Sequence, residues 1–308
     1  MDVRNGISCI RNGVGLLPTT VFLFSSFTYD AFVIALLMLG IALFVTEYLS
    51  EEKIQTKRTM VSILAMVVGC FSKAVYIPFL ALYWLMPKDK FYSRRQKNLF
   101  KAGIFVLLIL MFASFILPLI GNVTSGAEVG DYRGGDTSQT SQLSMILGYP
   151  LTYTGVLLKS LGTTFASYFI GSKVLANFAY RGIYDGIGYF VVLLTMLFTF
   201  VTDFGMTEKT YDAQMKRKIL MMKIWNAVLI FGTACLVWTA LYLDFTPVGS
   251  MVINGVSPRY YLPLIFPLSL IFINQKVRCS MKLENYQSLI AFLMLIGTGI
   301  SIYCLMLA

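Results

Sequence analysis

The chain reads as an all-α, polytopic transmembrane helical bundle, and three observations carry that expectation. Of its 308 residues, 57% are hydrophobic and 13% charged, where a soluble domain carries about 25% charged residues. Mean hydropathy is +0.73, and apolar runs repeatedly approach the roughly 20 residues that cross a hydrocarbon core. The basic residues punctuate those runs: 19 of 25 Lys and Arg fall in the short segments 4–11, 53–58, 88–101, 209–223 and 276–282. The net charge of +10 is therefore a positive-inside topology signal, with no nucleic-acid partner implied.

Taken in order, residues 1–13 carry Arg4 and Arg11 ahead of a short apolar run, Val14 to Phe27. No small-residue cleavage site follows, so a signal peptide is not expected. After the break Ser25–Asp30, Ala31 to Thr46 is a clean span, and Glu47 to Arg58 falls inside by its bases. Met60 to Met86 is one apolar run interrupted by Ser72-Lys73-Ala74-Val75-Tyr76-Ile77-Pro78. A single long span would put Glu47–Arg58 and the basic stretch Lys88–Lys101 on opposite sides. Two short helices turning at Lys73 put both inside, and broken helices are tolerated where polar backbone lines a cavity. A hairpin is expected.

Ala102 to Ile120 then leads out to a Gly-, Ser-, Thr- and Asp-rich outer loop, about 121–142. Residues 143–172 are moderately apolar; span parity requires zero or two crossings there, and a helix lying on the outer leaflet is expected. Gly186 to Val201 returns, 202–223 is a charged inner loop, and Ile224 to Leu243 comes out again. A second outer loop, about 244–260, reads DFTPVGSMVINGVSPRY and ends at the lip of the proline-rich run 261–273. Residues 275–282 are inside and Tyr286 to Leu307 is the last span. The expectation is one integral membrane domain over 1–308, with about seven full spans plus a broken short-helix pair.

The chemistry is bounded by what is absent. There is no histidine, which excludes a Ser-His-Asp triad, an HExxH zinc site and any His general base. The five cysteines are scattered with no CxxC pair, so neither structural disulfides nor zinc is expected. The segment GDYRGGD, 130–136, does not open a helix after a strand and is no phosphate loop. No metal and no cofactor is implied.

The expected topology gathers polar residues on the outer side: Tyr29, Asp30, Lys73, Tyr76, Arg133, Asp185, Asp244, Arg259 and Tyr260. Each has two readings. Arg259 is either a snorkelling anchor or a ligand for a headgroup phosphate. Lys73 is a helix-end anchor or a functional intramembrane cation, and Asp30 the N-cap of the next span or part of a site. Tyr29, Tyr76, Tyr260 and Tyr261 suit an aromatic belt or a binding platform. Asp185, between glycine and tyrosine, reads as a turn residue. Lys73 and Arg259 together suit an anionic headgroup, one as a point charge and the other as a planar fork.

Four segments carry a family resemblance: SFTYD at 26–30, SKAVYIP at 72–78, MPKDKF at 86–91 and TPVGSMVINGVSPRYYLPL at 246–264. In this order they resemble the bacterial membrane family called domain of unknown function 2142, over about Leu16 to Ile273. That family looks related to the C-type glycosyltransferases, multi-span enzymes that use polyprenyl-phosphate sugars at the outer face. The resemblance implies a C-type-like bundle in the cell membrane, acting in cell-envelope glycan assembly with a polyprenyl-phosphate-linked sugar as partner. Arg259 and Lys73 would hold the lipid phosphate, with Tyr260, Tyr76, Tyr29 and Asp30 lining the pocket. Family members carry further spans upstream, with an acidic outer loop that this chain begins after. An N-terminal truncation without the catalytic carboxylate is expected on that ground. Ser257-Pro258 and Ala74-Val75 also depart from the family's usual Gln-Gly and Pro-Pro. The alternative, from another class, is a non-catalytic transporter, flippase or assembly partner for envelope polymers.

Overall fold

A computed structural model describes residues 12–125, 136–202, 213–272 and 281–306, and these residues are predominantly helical. Their one strand-like feature is an isolated antiparallel bridge between Asn177 and Ile183. In chain order the helices are α1 (Pro18–Ser25), α2 (Tyr29–Leu49), α3 (Thr56–Cys70), a 3₁₀ limb (Ala74–Leu85), α4 (Arg94–Ser125), α5 (Gln139–Gly148), α6 (Pro150–Phe169), α7 (Ser172–Leu175), α8 (Ile187–Val201), α9 (Ala213–Phe245), α10 (Leu262–Phe272) and α11 (Leu283–Met306). Four are long and apolar enough to cross a membrane: α2, the Arg94–Leu117 part of α4, α9 and α11. The 3₁₀ limb and α8 are shorter apolar helices.

Burial ranks the four. The apolar window of α2 is 67% buried, against 17% in α4 and 28% in α11, so α2 is the central post and the others form the rim. Its contact with α3 is close because small residues face each other. Ser62 Oγ donates to the Gly40 carbonyl at 2.6 Å, and a Cβ on Gly40 would stand 3.0 Å from the Ser62 carbonyl oxygen. A similar approach joins α8 to α11, where a Cβ on Gly188 would meet the Gly297 carbonyl oxygen at 2.6 Å.

The run Met60 to Met86 is a hairpin. α3 ends at Cys70, and the second limb starts at Ala74. Tyr83 Oη near the end of that limb donates to the Thr59 carbonyl near the start of α3, at 3.5 Å. Beyond it, Ile54 N–H donates to the Lys90 carbonyl at 2.9 Å, and buried Lys90 Nζ donates to the carbonyls of Ser50 and Glu52 at 2.6 and 3.0 Å. Both flanks of the hairpin are thus at one end of the bundle. The limbs match in length although their residue counts differ: 15 residues of α-helix rise about 22 Å, and 12 of 3₁₀ helix about 24 Å.

A 3₁₀ helix brings every third residue onto one face. Ile77, Leu80 and Tyr83 form one buried face, and Tyr76, Phe79 and Leu82 another. The third face, Val75, Pro78, Ala81, Trp84, is the least buried: Val75 and Pro78 are partly buried, Ala81 is buried and Trp84 is exposed. α9 locks the limb from the side, with Trp225 Nε1 donating to the Ala81 carbonyl at 3.0 Å. It also holds α10, where Asn226 donates to the carbonyl of Pro267 inside that helix.

Three segments expected as full spans are short here: α1 has 8 residues, α8 has 15 and α10 has 11. An upright α-helical crossing takes roughly 20. Pro18 fixes the start of α1, and α10 passes through Pro267 to Phe272, the last described residue of that segment. Residues 143–172 hold most of α5 and α6. Tyr153 and Tyr168, from opposite ends of α6, touch the neighbouring residues Thr239 and Trp238 of α9, so α6 crosses α9 steeply.

Two measurements check this fold. In a background lacking the native cysteines, a membrane-impermeant maleimide applied from outside should label Ser72→Cys but neither Gln55→Cys nor Ser93→Cys. Opposite accessibility at 55 and 93 would mean that the run crosses once. Gly40→Val should cost about 1–3 kcal/mol through overpacking, read as a lowered melting temperature of the detergent-purified protein.

Candidate functional site

Three elements converge at the start of α2: its first turn, the hairpin turn before the 3₁₀ limb, and a short 3₁₀ turn, Pro258–Tyr261, that closes the loop from Asp244 and leads into α10. Thr28 occupies the N-cap with extended backbone, and no side chain caps there. Asp30 is therefore not the cap of this helix. It is the second helical residue, at the end where the helix dipole favours a negative charge, and it is 4% exposed. Its Oδ1 accepts from Lys73 Nζ, and its Oδ2 is 3.6 Å from Arg259 Nε.

Lys73 lies in the turn, outside either limb. Its ammonium is 3.9 Å from the ring centroid of Tyr260 and 5.2 Å from that of Tyr29, close enough for attraction to both π-faces. Tyr76 is fully buried, and its hydroxyl donates to the Tyr260 carbonyl at 2.6 Å. Arg259 passes 5.9 Å from the Tyr260 ring and keeps 43% of its side chain exposed. All six residues singled out from the sequence thus meet at one place: Tyr29, Asp30, Lys73, Tyr76, Arg259 and Tyr260.

The loop that carries Arg259 is held from below by residues with no such signal in the sequence. Gln142 Nε2, fully buried, lies 3.0–3.2 Å from the carbonyls of Tyr242, Thr246 and Pro247. Asn254 N–H donates to Thr246 Oγ1 at 3.1 Å and Tyr168 Oη to the Val256 carbonyl at 3.0 Å. Trp238 Nε1 donates to Tyr261 Oη at 2.6 Å, with Tyr168 and Phe169 edge-on to the Tyr261 ring. Gly255 has φ +79°, and a Cβ there would run into the Phe245 ring, so only glycine fits. Gln142 sits among Ser, Thr and Gln residues that look like any outer loop, and nothing in its sequence context marks it.

Other members of the expected outer group are placed apart from these contacts. Asp244 accepts from Gln139 Nε2 at 2.6 Å, and Asp185 is exposed ahead of α8. Arg133 and most of GDYRGGD lie outside the described residues. Beside the cluster, Phe24, Phe27, Tyr29 and Phe32 line an apolar groove of about 590 Å3. Tyr29 belongs to both, so the groove and the cation cluster share a wall. Lys73 and Arg259 against Asp30 leave one net positive charge, and Arg259 is its accessible part. Such an arrangement can hold an anion that carries an apolar tail. Both carboxylate oxygens of Asp30 face cations, Oδ1 towards Lys73 and Oδ2 towards Arg259.

A family model described as "Predicted membrane protein (DUF2142)" matches residues 13–268. No curated protein and no solved structure matches the chain.

The Asp30–Lys73 pair is buried on both sides, at 4% and 8% side-chain exposure. Removing one partner from such a pair typically costs about 3–5 kcal/mol. Lys73→Met should lose that much in detergent unfolding, and adding Asp30→Asn should recover a large part of it. A single-mutant loss under about 1 kcal/mol, as for exposed pairs, would show that the pair is not structural.

Proposed function

For this chain, which belongs to the membrane-protein family DUF2142, we propose a site that binds a polyprenyl-phosphate-type lipid at the outer face of the cell membrane. Arg259 takes the phosphate, backed by Lys73, while the groove beside Tyr29 takes the start of the isoprenoid tail. Tyr29 and Tyr260 wall the headgroup, Tyr76 fixes the Tyr260 backbone, and Asp30 holds both cations in register. The observation that carries this reading is the shared position of Tyr29, at once a face of the cation cluster and a wall of the apolar groove. The proposed topology is multi-pass, with the hairpin reaching outward and α6 lying along the outer leaflet, in keeping with its steep crossing of α9.

In the C-type glycosyltransferase reading, the bound lipid carries a sugar that is transferred in cell-envelope glycan assembly. One observation favours the rival reading, a non-catalytic transporter, flippase or assembly partner. Asp30 is the carboxylate at the site, and its two oxygens face Lys73 and Arg259. Lipid-phosphate binding is common to both readings, and catalysis separates them.

Binding of undecaprenyl phosphate to purified wild type, Arg259→Lys and Arg259→Ala tests the shared part. A lysine keeps the charge but loses the planar fork. Both variants should bind roughly tenfold to a hundredfold more weakly, the effect of about 1.5–3 kcal/mol for one charge-assisted contact. Equal binding by wild type and Arg259→Lys, at matched detergent stability, would make Arg259 an interfacial anchor. Release or transfer of sugar from a polyprenyl-phosphate sugar would establish the catalytic reading, and lipid binding without turnover the other.

A further inference from the structure

The opposite end of the bundle holds a second concentration of charge that topology alone does not account for. Orientation in a membrane needs basic residues near a span end, in no particular arrangement. Here Lys53, Lys88, Arg94 and Lys97 line one concavity of about 570 Å3, with Asp89 the one acid among them. The walls are fixed. Lys53 Nζ donates to the carbonyls of Asp89 and Phe91 at 2.9 and 3.2 Å. Ser93 Oγ accepts the Gln96 N–H at 3.1 Å while Gln96 Oε1 accepts the Tyr92 N–H at 2.8 Å, a reciprocal cap that sets where α4 begins. The Asp89 carboxylate is drawn toward α9 by Gln214 Nε2 at 3.3 Å.

A second, apolar groove lies further along α4. Lys97, Lys101, Phe105 and Ile109 follow at four-residue spacing, so they form one ridge of that helix. Lys101 Nζ donates to the Trp84 carbonyl at 2.9 Å, and Trp84 stacks on Phe105 at 6.4 Å. From there an apolar groove of about 460 Å3 runs past Ile109 and Phe112 to Leu117. At 1.5 Å per residue it extends about 18 Å, close to one leaflet of a hydrocarbon core about 30 Å thick.

We propose that this end is a binding site for an anionic glycerophospholipid of the inner leaflet, with its phosphate among Lys88, Arg94 and Lys97 and one acyl chain in the groove along α4. A basic hollow and a leaflet-long apolar groove that follow one another along α4 have the two-part chemistry of such a lipid, and neither a soluble anion nor a neutral lipid uses both parts. The site is separate from the Asp30 cluster at the other end of α2 and stands independently of what that cluster binds.

The full-length protein in detergent, titrated with phosphatidylglycerol, phosphatidylcholine and glycerol 3-phosphate, tests this by native mass spectrometry and thermal shift. Phosphatidylglycerol should stay bound and raise the melting temperature, phosphatidylcholine should do neither, and glycerol 3-phosphate should bind at least about tenfold more weakly than the whole lipid. The triple variant Lys88→Gln, Arg94→Gln, Lys97→Gln should weaken phosphatidylglycerol at least about tenfold, with its lipid-free melting temperature and its undecaprenyl-phosphate binding unchanged. Ala113→Trp, which fills the groove, should weaken the lipid and leave glycerol 3-phosphate alone. Equal affinity for the two phospholipids, or undiminished phosphatidylglycerol binding by the triple variant, would overturn the proposal. So would binding of none of the three probes. Glycerol 3-phosphate binding as well as phosphatidylglycerol would replace the lipid by a soluble phosphate.

Discussion

A carboxylate buried at the start of a membrane helix is tolerable only with a cation against it, since desolvating an unpaired ion costs several kcal/mol even after relaxation. Asp30 has two cations, and they come from segments far apart in the chain. Lys73 brings the hairpin turn to α2, and Arg259 brings the end of the 244–260 loop. The placement of three elements is thereby coupled to one side chain. The neighbouring contacts are consistent with that requirement: Tyr29 and Tyr260 enclose the ammonium, and Tyr76 fastens the backbone on which Tyr260 sits. The same pairing leaves Arg259 as the group that still faces outward.

The sequence disclosed the hairpin because a lysine and a proline are hard to accommodate in the middle of a straight apolar span, and because the basic segments on both sides had to share a face. It disclosed the members of the Asp30 cluster for a related reason, since polar residues at the ends of apolar runs are rare enough to be noticed one at a time. What it could not disclose was who pairs with whom. Two cations read singly suggest a doubly positive pocket, whereas Asp30 cancels one of them and leaves a site of modest charge.

Helix ends were less readable than helix cores. An apolar run marks the extent of hydrocarbon, whereas a helix stops where its backbone must. The run 224–243 is only the middle of α9, which starts at Ala213 and takes in Lys216, Arg217, Lys218 and Lys223, because Lys, Arg, Gln and Met favour helix. α4 likewise begins at Arg94, ahead of its apolar run. The difference runs the other way in α1, where Pro18 sets the start of a helix shorter than composition alone would suggest. A count of spans from hydropathy therefore exceeded the number of long helices among the described residues.

The 3₁₀ limb places an unusual constraint on how this gene can change. Its cross-section is a three-sided prism, with Ile77–Leu80–Tyr83 and Tyr76–Phe79–Leu82 fully buried and the side ending at Trp84 the least buried. Losing a single codon here would rotate everything beyond it by a third of a turn, putting one fully buried side where the less buried one packs. Losing three codons would shorten the limb by about 6 Å yet return each remaining residue to its own side. An ordinary α-helix has no such short exact repeat, so length variation within this segment among related chains should come in steps of three.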